Sequence, residues 1–124
     1  MLYRDTTVRR SGITGLMRAA VVSQAGSAHD ALRIEDLEPP QPGPGEVGVR
    51  IRVSGVNPTD WKEREGRGPG AFPFKVPNQD GAGTIESVGE GVDPARVGQR
   101  VWVFFAAWER QWGTAAEYTV LPAA

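Results

Sequence analysis

The sequence predicts a mainly β fold, a small barrel or sandwich with one or two short helices. Glycine and proline are frequent, with 16 and 10 copies in 124 residues, and they divide the chain into short apolar segments. Several segments alternate between apolar and polar side chains, which is the period of a half-buried strand. Short strands separated by turn residues are typical of such folds. At this length, a single domain is expected.

The first 16 residues lack the patterning of the rest of the chain. They contain Arg4, Arg9 and Arg10, but neither the apolar core of a signal peptide nor a clear period. We therefore predict a disordered N-terminal extension over residues 1–16 and a folded domain over residues 17–124.

Two strands are predicted before a proline-rich connection. The first covers residues 18–23 and the second residues 31–37, with a turn between them that carries an exposed His29. Residues 39–45 contain four prolines and two glycines, so they are excluded from a helix or a central strand. They lead the chain into the third strand.

The third strand shows the clearest alternation. Over residues 46–53, the apolar side chains Val47, Val49, Ile51 and Val53 are expected on one face of the sheet. The strand is predicted to stop at residues 54–55.

A short helix is predicted directly after this strand. Asn57 is a good N-cap, and Pro58 suits the first helical position, where no N–H is needed. Asp60 places a carboxylate in the first turn, near the positive end of the helix dipole. The helix is expected to run from Pro58 to about residue 65 and to end at Gly66.

The remaining half of the chain predicts three more strands. Residues 66–77 are rich in glycine and proline and are interpreted as an ordered loop. Strands are expected at residues 81–89, 100–105 and 115–120, separated by glycine-containing turns.

Composition excludes several classes of function. The formal charge is 14 − 15 = −1, so neither nucleic acid nor an anionic membrane is indicated as a partner. The absence of cysteine excludes disulfides, thiolate zinc sites and iron–sulfur clusters, and one histidine cannot form a metal site alone. No apolar stretch approaches the length of a membrane span. We expect a cytoplasmic protein.

Four motifs, in this order and spacing, resemble the N-terminal GroES-like domain of medium-chain dehydrogenases/reductases. They lie at residues 55–60, 80–83, 97–101 and 113–118. The Asn-Pro-x-Asp sequence at residues 57–60 is similar to that of the zinc-independent quinone oxidoreductase and enone reductase branch. Each motif alone is weak, but four in register are specific.

The resemblance covers residues 17–124 and implies a GroES-like, partly open β-barrel packed against a Rossmann domain that binds NADPH. That second domain is not found in the sequence, because no strand is followed by Gly-x-Gly-x-x-Gly and a helix; residues 81–83 are the nearest match. The chain is therefore expected to be an incomplete enzyme, inactive alone. The resemblance also allows a homodimer of the full-length parent.

The resemblance further implies hydride transfer without zinc. Zinc-dependent relatives place a cysteine where this chain has Asn57 and a histidine where it has Gln79, and amide oxygens are poor zinc ligands. Hydride delivery to the conjugated system of a quinone or enone can be assisted by hydrogen bonds to its carbonyl oxygen, without a metal. We hypothesise that Asn57 and Lys62 contact the nicotinamide ribose or the substrate carbonyl, and that Thr59 lines the pocket.

Asp60, Trp61 and Gln79 complete the candidate substrate pocket, each with a structural alternative. Asp60 is interpreted mainly as holding the helix start, Trp61 is more often a core residue on such a helix, and Gln79 is favoured as a plain polar loop residue. For Lys62 the alternative is a solvated lysine, and for Thr59 it is packing in the first helical turn.

Three other functions compete with the quinone or enone reductase. One is a stand-alone GroES-like module that binds a ligand or partner without catalysis. Another is part of a zinc-type alcohol dehydrogenase that has lost its metal. A co-chaperonin is disfavoured, because the Asn-Pro-x-Asp helix start at residues 57–60 has no evident role in one.

Overall fold

The computed structural model describes residues 15–124, so most of the predicted extension over residues 1–16 lies outside the described part. The mainly β prediction is confirmed. The strands are β1 Met17–Val22, β2 Leu32–Leu37, β3 Glu46–Ser54, β4 Gly81–Val88, β5 Arg100–Val103 and β6 Tyr118–Pro122. The helices are α1 Ala28–Ala31, α2 Pro58–Gly66 and a single 3₁₀ turn, Pro94–Arg96.

The strands form two antiparallel sheets that do not close into a complete barrel. One sheet pairs β1 with β2, and the other has the order β5-β4-β3-β6. Single bridges between Ala19 and Ala116 and between Val22 and Lys75 attach β1 to the rest of the domain. The structure thus confirms a partly open barrel.

Two apolar clusters form the core. The first lies between β1 and β6, and the second lies between β3, β4 and β5. Buried members of the first are Met17, Ala19, Val21, Val76, Tyr118 and Val120, and those of the second are Val47, Val49, Ile85, Val103 and Leu121. Burial of these side chains supplies the main driving force for folding.

The strand prediction for β3 is wrong at its end. Val53 is 63% exposed, although the alternation placed it on the same face as the buried Val49. The pairing of β3 with β4 shifts register between Ile51 and Val53, as expected for a β-bulge. One extra residue reverses the faces of the side chains that follow.

The last strand also starts later than predicted, at Tyr118. Residues 115–116 are tied to β1 instead, since the Ala20 N–H donates to the Ala115 carbonyl at 2.8 Å and Ala116 bridges Ala19.

The short helices are local features. His29 lies in α1, where a turn was predicted, and its side chain is exposed as expected. Within residues 15–124, no helix combines the length and apolar character that crossing a bilayer requires.

Candidate functional site

The candidate site is built around the start of α2, as the helix-capping signals predict. Asn57 occupies the N-cap position with extended backbone, and Pro58 begins the helix. The Asn57 N–H donates to Asp60 Oδ2 at 2.7 Å, which is one half of a capping box. Asp60 is only 7% exposed, so its predicted role in holding the helix start is confirmed.

The side chain of Asn57 faces a second carboxylate. Its Nδ2 donates to Asp80 Oδ1 at 3.0 Å. Asp80 directly precedes β4, and its backbone carbonyl accepts a hydrogen bond of 2.9 Å from the N–H of Gly55. A Cβ on Gly55 would overlap Asp80 Oδ1, so glycine allows the carboxylate to approach the backbone in this position.

A network of polar side chains holds the backbone of Asp80 in place. Thr114 Oγ1 donates to the Asp80 carbonyl at 2.7 Å and lies 2.8 Å from Ser54 Oγ. The Asn78 side-chain amide donates to the same Ser54 hydroxyl at 2.9 Å. Thr114 is fully buried, and Asn78 adopts a left-handed backbone with φ of 77°. This network fixes the loop before β4 against the end of β3.

The electrostatic surroundings of Asp60 oppose its ionisation. Burial raises the pKa of Asp60 above its usual value of 3.8, and the hydrogen bond from the Asn57 N–H only partly offsets this. The nearby charges of Asp80 and Glu63 raise the pKa of Asp60 further, while the Lys75 ammonium lowers it. Lys75 is itself 8% exposed, and its Nζ lies 3.5 Å from Glu63 Oε1.

A cavity of about 700 Å³ opens beside α2, on the side of the partly buried ion pair of Lys75 and Glu63. Its size lies within the range of small-molecule sites, roughly 300–1,000 Å³. Polar and aromatic side chains share the wall, among them Glu63, Arg67, Phe72, Lys75 and Trp108.

A model of the family described as the alcohol dehydrogenase GroES-like domain matches residues 43–124, more than half of the chain. The chain belongs to this family. The matched segment of the GroES-like domain contains α2 and the entire polar network around Asp80. The resemblance inferred from the sequence motifs is thereby confirmed.

Several proteins similar to this chain are named as dehydrogenases or reductases. The chain is 39% identical over 104 residues to the trans-enoyl reductase fsr4 of Gibberella fujikuroi, covering 84% of this chain and 29% of that protein. A solved mycobacterial quinone oxidoreductase is 34% identical with a TM-score of 0.74, covering 86% of this chain and 32% of that one. The chain spans less than a third of the length of the curated relatives it matches.

The solved relatives differ in what they bind. A mycobacterial structure that is 34% identical was obtained in complex with NADPH. A thermostable alcohol dehydrogenase from Pyrobaculum aerophilum was obtained with cobalt and zinc; it is 30% identical with a TM-score of 0.74, covering 87% of this chain and 39% of that one. Structures solved with NADPH and with zinc therefore occur among the relatives at similar identity.

The predicted site residues divide into two groups. Asn57 and Asp60 are joined to each other, but Thr59 and Lys62 are exposed on the outer side of α2. Among the described residues, the one contact found for the Lys62 ammonium is the ring of Trp61, 5.7 Å from the ring centroid. Trp61 is 45% exposed, so the preference for a core role is wrong, because the inner face of α2 is polar.

Gln79 also differs from the preferred interpretation as a plain loop residue. It is 7% exposed, and its Oε1 has no hydrogen-bond partner within residues 15–124. The N–H of Ala106 donates to the Gln79 carbonyl at 2.8 Å, so the loop after β5 covers this residue. A buried amide oxygen without a partner carries a desolvation cost of about 1–3 kcal/mol.

Two groups of functional candidates were missed by the sequence reasoning. One is Asp80, which was noted only as part of a glycine-containing motif. The other is the partly buried pair of Lys75 and Glu63. The available signal was a carboxylate placed directly before the glycine that starts β4, where backbones approach closely.

Proposed function

We propose that this GroES-like domain is the substrate-binding domain of a cytoplasmic, NADPH-dependent quinone or enone oxidoreductase that transfers hydride without zinc. The observation that carries the proposal is the Asn57 side chain, an amide donor held at the start of α2 by Asp80. The similarity to a trans-enoyl reductase and a quinone oxidoreductase supports the same class of substrate.

The donor set around Asn57 does not fit a tetrahedral zinc. The sequence contains no cysteine, and residues 15–124 contain no group of three or more histidine, cysteine or acidic residues arranged for a metal ion. The Asn57 nitrogen is already paired with Asp80, and an amide is a weaker zinc ligand than thiolate or imidazole. No step of the proposed reaction is therefore assigned to a metal.

The residues present do fit a role toward a nicotinamide and a carbonyl compound. When bound, NADPH supplies the hydride. Asn57 offers a second N–H to an oxygen of the ligand, and the exposed Lys62 offers an ammonium. Both are suited to the negative charge that develops on a quinone or enone oxygen during reduction. Thr59, Trp61 and Gln79 are assigned to the surrounding pocket.

The proposal is tested with the longest reading frame that contains these residues. NADPH oxidation is followed with a simple quinone and a simple enone, for wild type and Asn57→Ala. We expect kcat/KM to fall on the order of tenfold or more, since one donor to the developing oxyanion is lost. Asp93→Ala is the matched control, because it changes an exposed residue that caps the 3₁₀ turn.

Two outcomes would contradict the proposal. Unchanged kinetics in Asn57→Ala would remove the role of the amide. A large stimulation by added zinc would overturn the metal-free chemistry. If neither carbonyl compound is reduced but ligands still bind, the chain acts as a binding module instead.

A further inference from the structure

The contact between Asn57 and Asp80 determines which way the Asn57 amide is turned. An ionised carboxylate can only accept hydrogen bonds, so the amide group 3.0 Å from Asp80 Oδ1 must be the nitrogen. The reversed amide would place two oxygens against each other. The orientation therefore follows from the charge of the partner.

Asp80 is itself held in one position. Its backbone carbonyl accepts hydrogen bonds from the Gly55 N–H at 2.9 Å and the buried Thr114 hydroxyl at 2.7 Å. Its carboxylate lies against Gly55, where an added Cβ would force it to move. A carboxylate anchored in this way can hold the Asn57 amide in one orientation.

We propose that Asp80 is the positioning residue for Asn57, fixing the amide so that one N–H pairs with the carboxylate and the second N–H donates to a ligand oxygen. This inference rests on the proposed function, because it assumes that the ligand presents an acceptor such as a quinone or enone carbonyl. Without Asp80, the amide would rotate and present its own oxygen to the carbonyl in part of the population. The donor would then be lost without any change at Asn57.

The chain provides a direct readout of this arrangement. It has two asparagines, Asn57 and Asn78, so asparagine-selective ¹⁵N labelling gives two side-chain NH₂ pairs in an NMR spectrum. Asn57→Ser identifies the pair that belongs to Asn57. The Asn78 pair is an internal reference, because its amide donates to Ser54 and not to Asp80.

The expected result is a slowly exchanging Asn57 pair with well-separated proton shifts in the wild type. In Asp80→Ala the two shifts should converge and exchange with water should accelerate on the order of tenfold, while the Asn78 pair stays in place. Asp80→Asn adds a third NH₂ pair of its own, but the Asn57 pair should keep most of its wild-type shift separation, since the new side-chain oxygen still accepts from Asn57. Asp93→Ala should leave both pairs unchanged.

A second variant moves the carboxylate without removing its charge. In Gly55→Ala, the new Cβ overlaps Asp80 Oδ1 and displaces it, so the Asn57 pair should change in the same direction as in Asp80→Ala. If Asp80→Ala does not fold, Gly55→Ala and the exchange rate of the Asn57 pair in the wild type still test the proposal. An Asn57 pair in the wild type that exchanges as fast as a free asparagine would overturn the proposal, as would an unchanged pair in both variants.

Kinetics then separate this inference from the proposed function. In the longest reading frame, Asp80→Ala should lower kcat on the order of tenfold and Asp80→Asn should recover most of the loss. Asp80-dependent NMR shifts together with full activity in Asn57→Ala would support the positioning contact and contradict its catalytic use. Loss of activity in Asn57→Ala with no effect of Asp80→Ala on the NH₂ pair would overturn the positioning role alone.

Discussion

Replacing Asp60 separates two opposing effects of the carboxylate at the start of α2. Its Oδ2 accepts from the Asn57 N–H at 2.7 Å, which stabilises the helix start. Asp60→Ala removes this acceptor and leaves the N–H without its partner. An N-terminal cap contributes about 1 kcal/mol, and a buried unpaired N–H costs about 1–3 kcal/mol. Because these two figures describe the same hydrogen bond, they are not added, and we expect the free energy of unfolding to fall by about 1–2 kcal/mol.

Asp60→Asn should behave differently. The amide oxygen of asparagine still accepts from Asn57, but the buried negative charge is gone. Because the pKa of Asp60 is raised even with that hydrogen bond in place, folding stabilises the neutral carboxyl relative to the ionised one. We expect Asp60→Asn to match or exceed the wild type in stability at pH 7, as measured by urea unfolding with tryptophan fluorescence.

The same comparison predicts a pH dependence. A carboxyl whose pKa is raised on folding contributes stability that is fully present below its unfolded pKa near 3.8 and is lost as the pH rises through the folded value. The wild type should therefore gain stability relative to Asp60→Asn as the pH falls from 7 toward 4. If Asp60→Asn loses as much as Asp60→Ala at pH 7, the ionised form is the favourable one and this reasoning is refuted. Asp93→Ala, which removes an exposed cap to Ala95, controls for capping.

Two further predictions concern the barrel. Gly48→Ala would place a Cβ against the buried Tyr118 hydroxyl and should lower the free energy of unfolding by about 2–3 kcal/mol. Gly66→Ala is the control: it has open space around it and should change the free energy of unfolding by less than about 0.5 kcal/mol. Burial alone would raise the pKa of Glu46, but hydrogen bonds, including one of 2.6 Å from Arg110 Nη2, lower it overall, so its stabilisation is lost as the pH falls through the folded value. Glu46→Gln should lower the free energy of unfolding by on the order of 1 kcal/mol at pH 7. As the pH is lowered, its free energy of unfolding should fall less than that of the wild type. An equal fall in both, measured by urea unfolding, would contradict the pairing of Glu46 with Arg110.

The sequence predicted those parts of the fold that depend on neighbours along the chain. Alternation located β2 and β3, glycine and turn residues located β4, and the Asn-Pro-x-Asp signal located α2 to within a residue or two. The exposure of Val53 was not predictable, because the bulge arises from how β3 pairs with β4. The start of β6 was missed for a similar reason, since residues 115–116 are held by β1, almost a hundred positions earlier in the chain.

The candidate site shows the same division. The contact between Asn57 and Asp60 spans three residues and follows from helix capping, whereas the contact between Asn57 and Asp80 spans 23 residues and depends on the loop before β4. Burial of Gln79 depends on the loop after β5, which covers it only in the folded domain. Residue type and spacing alone do not predict contacts between loops that are far apart in the sequence.

The two carboxylates around Asn57 indicate a site shaped for binding more than for stability. Asp60 holds its backbone N–H and Asp80 holds its side-chain nitrogen, so the residue is fixed at both ends. This arrangement also places like charges near each other: burial is the main cause of the raised pKa of Asp60, and the charge of Asp80 raises it further. A helix cap alone would need only one acceptor, and an uncharged one would serve. The second carboxylate adds an electrostatic cost whose structural result is a fixed amide, which is the property that a binding or catalytic donor requires.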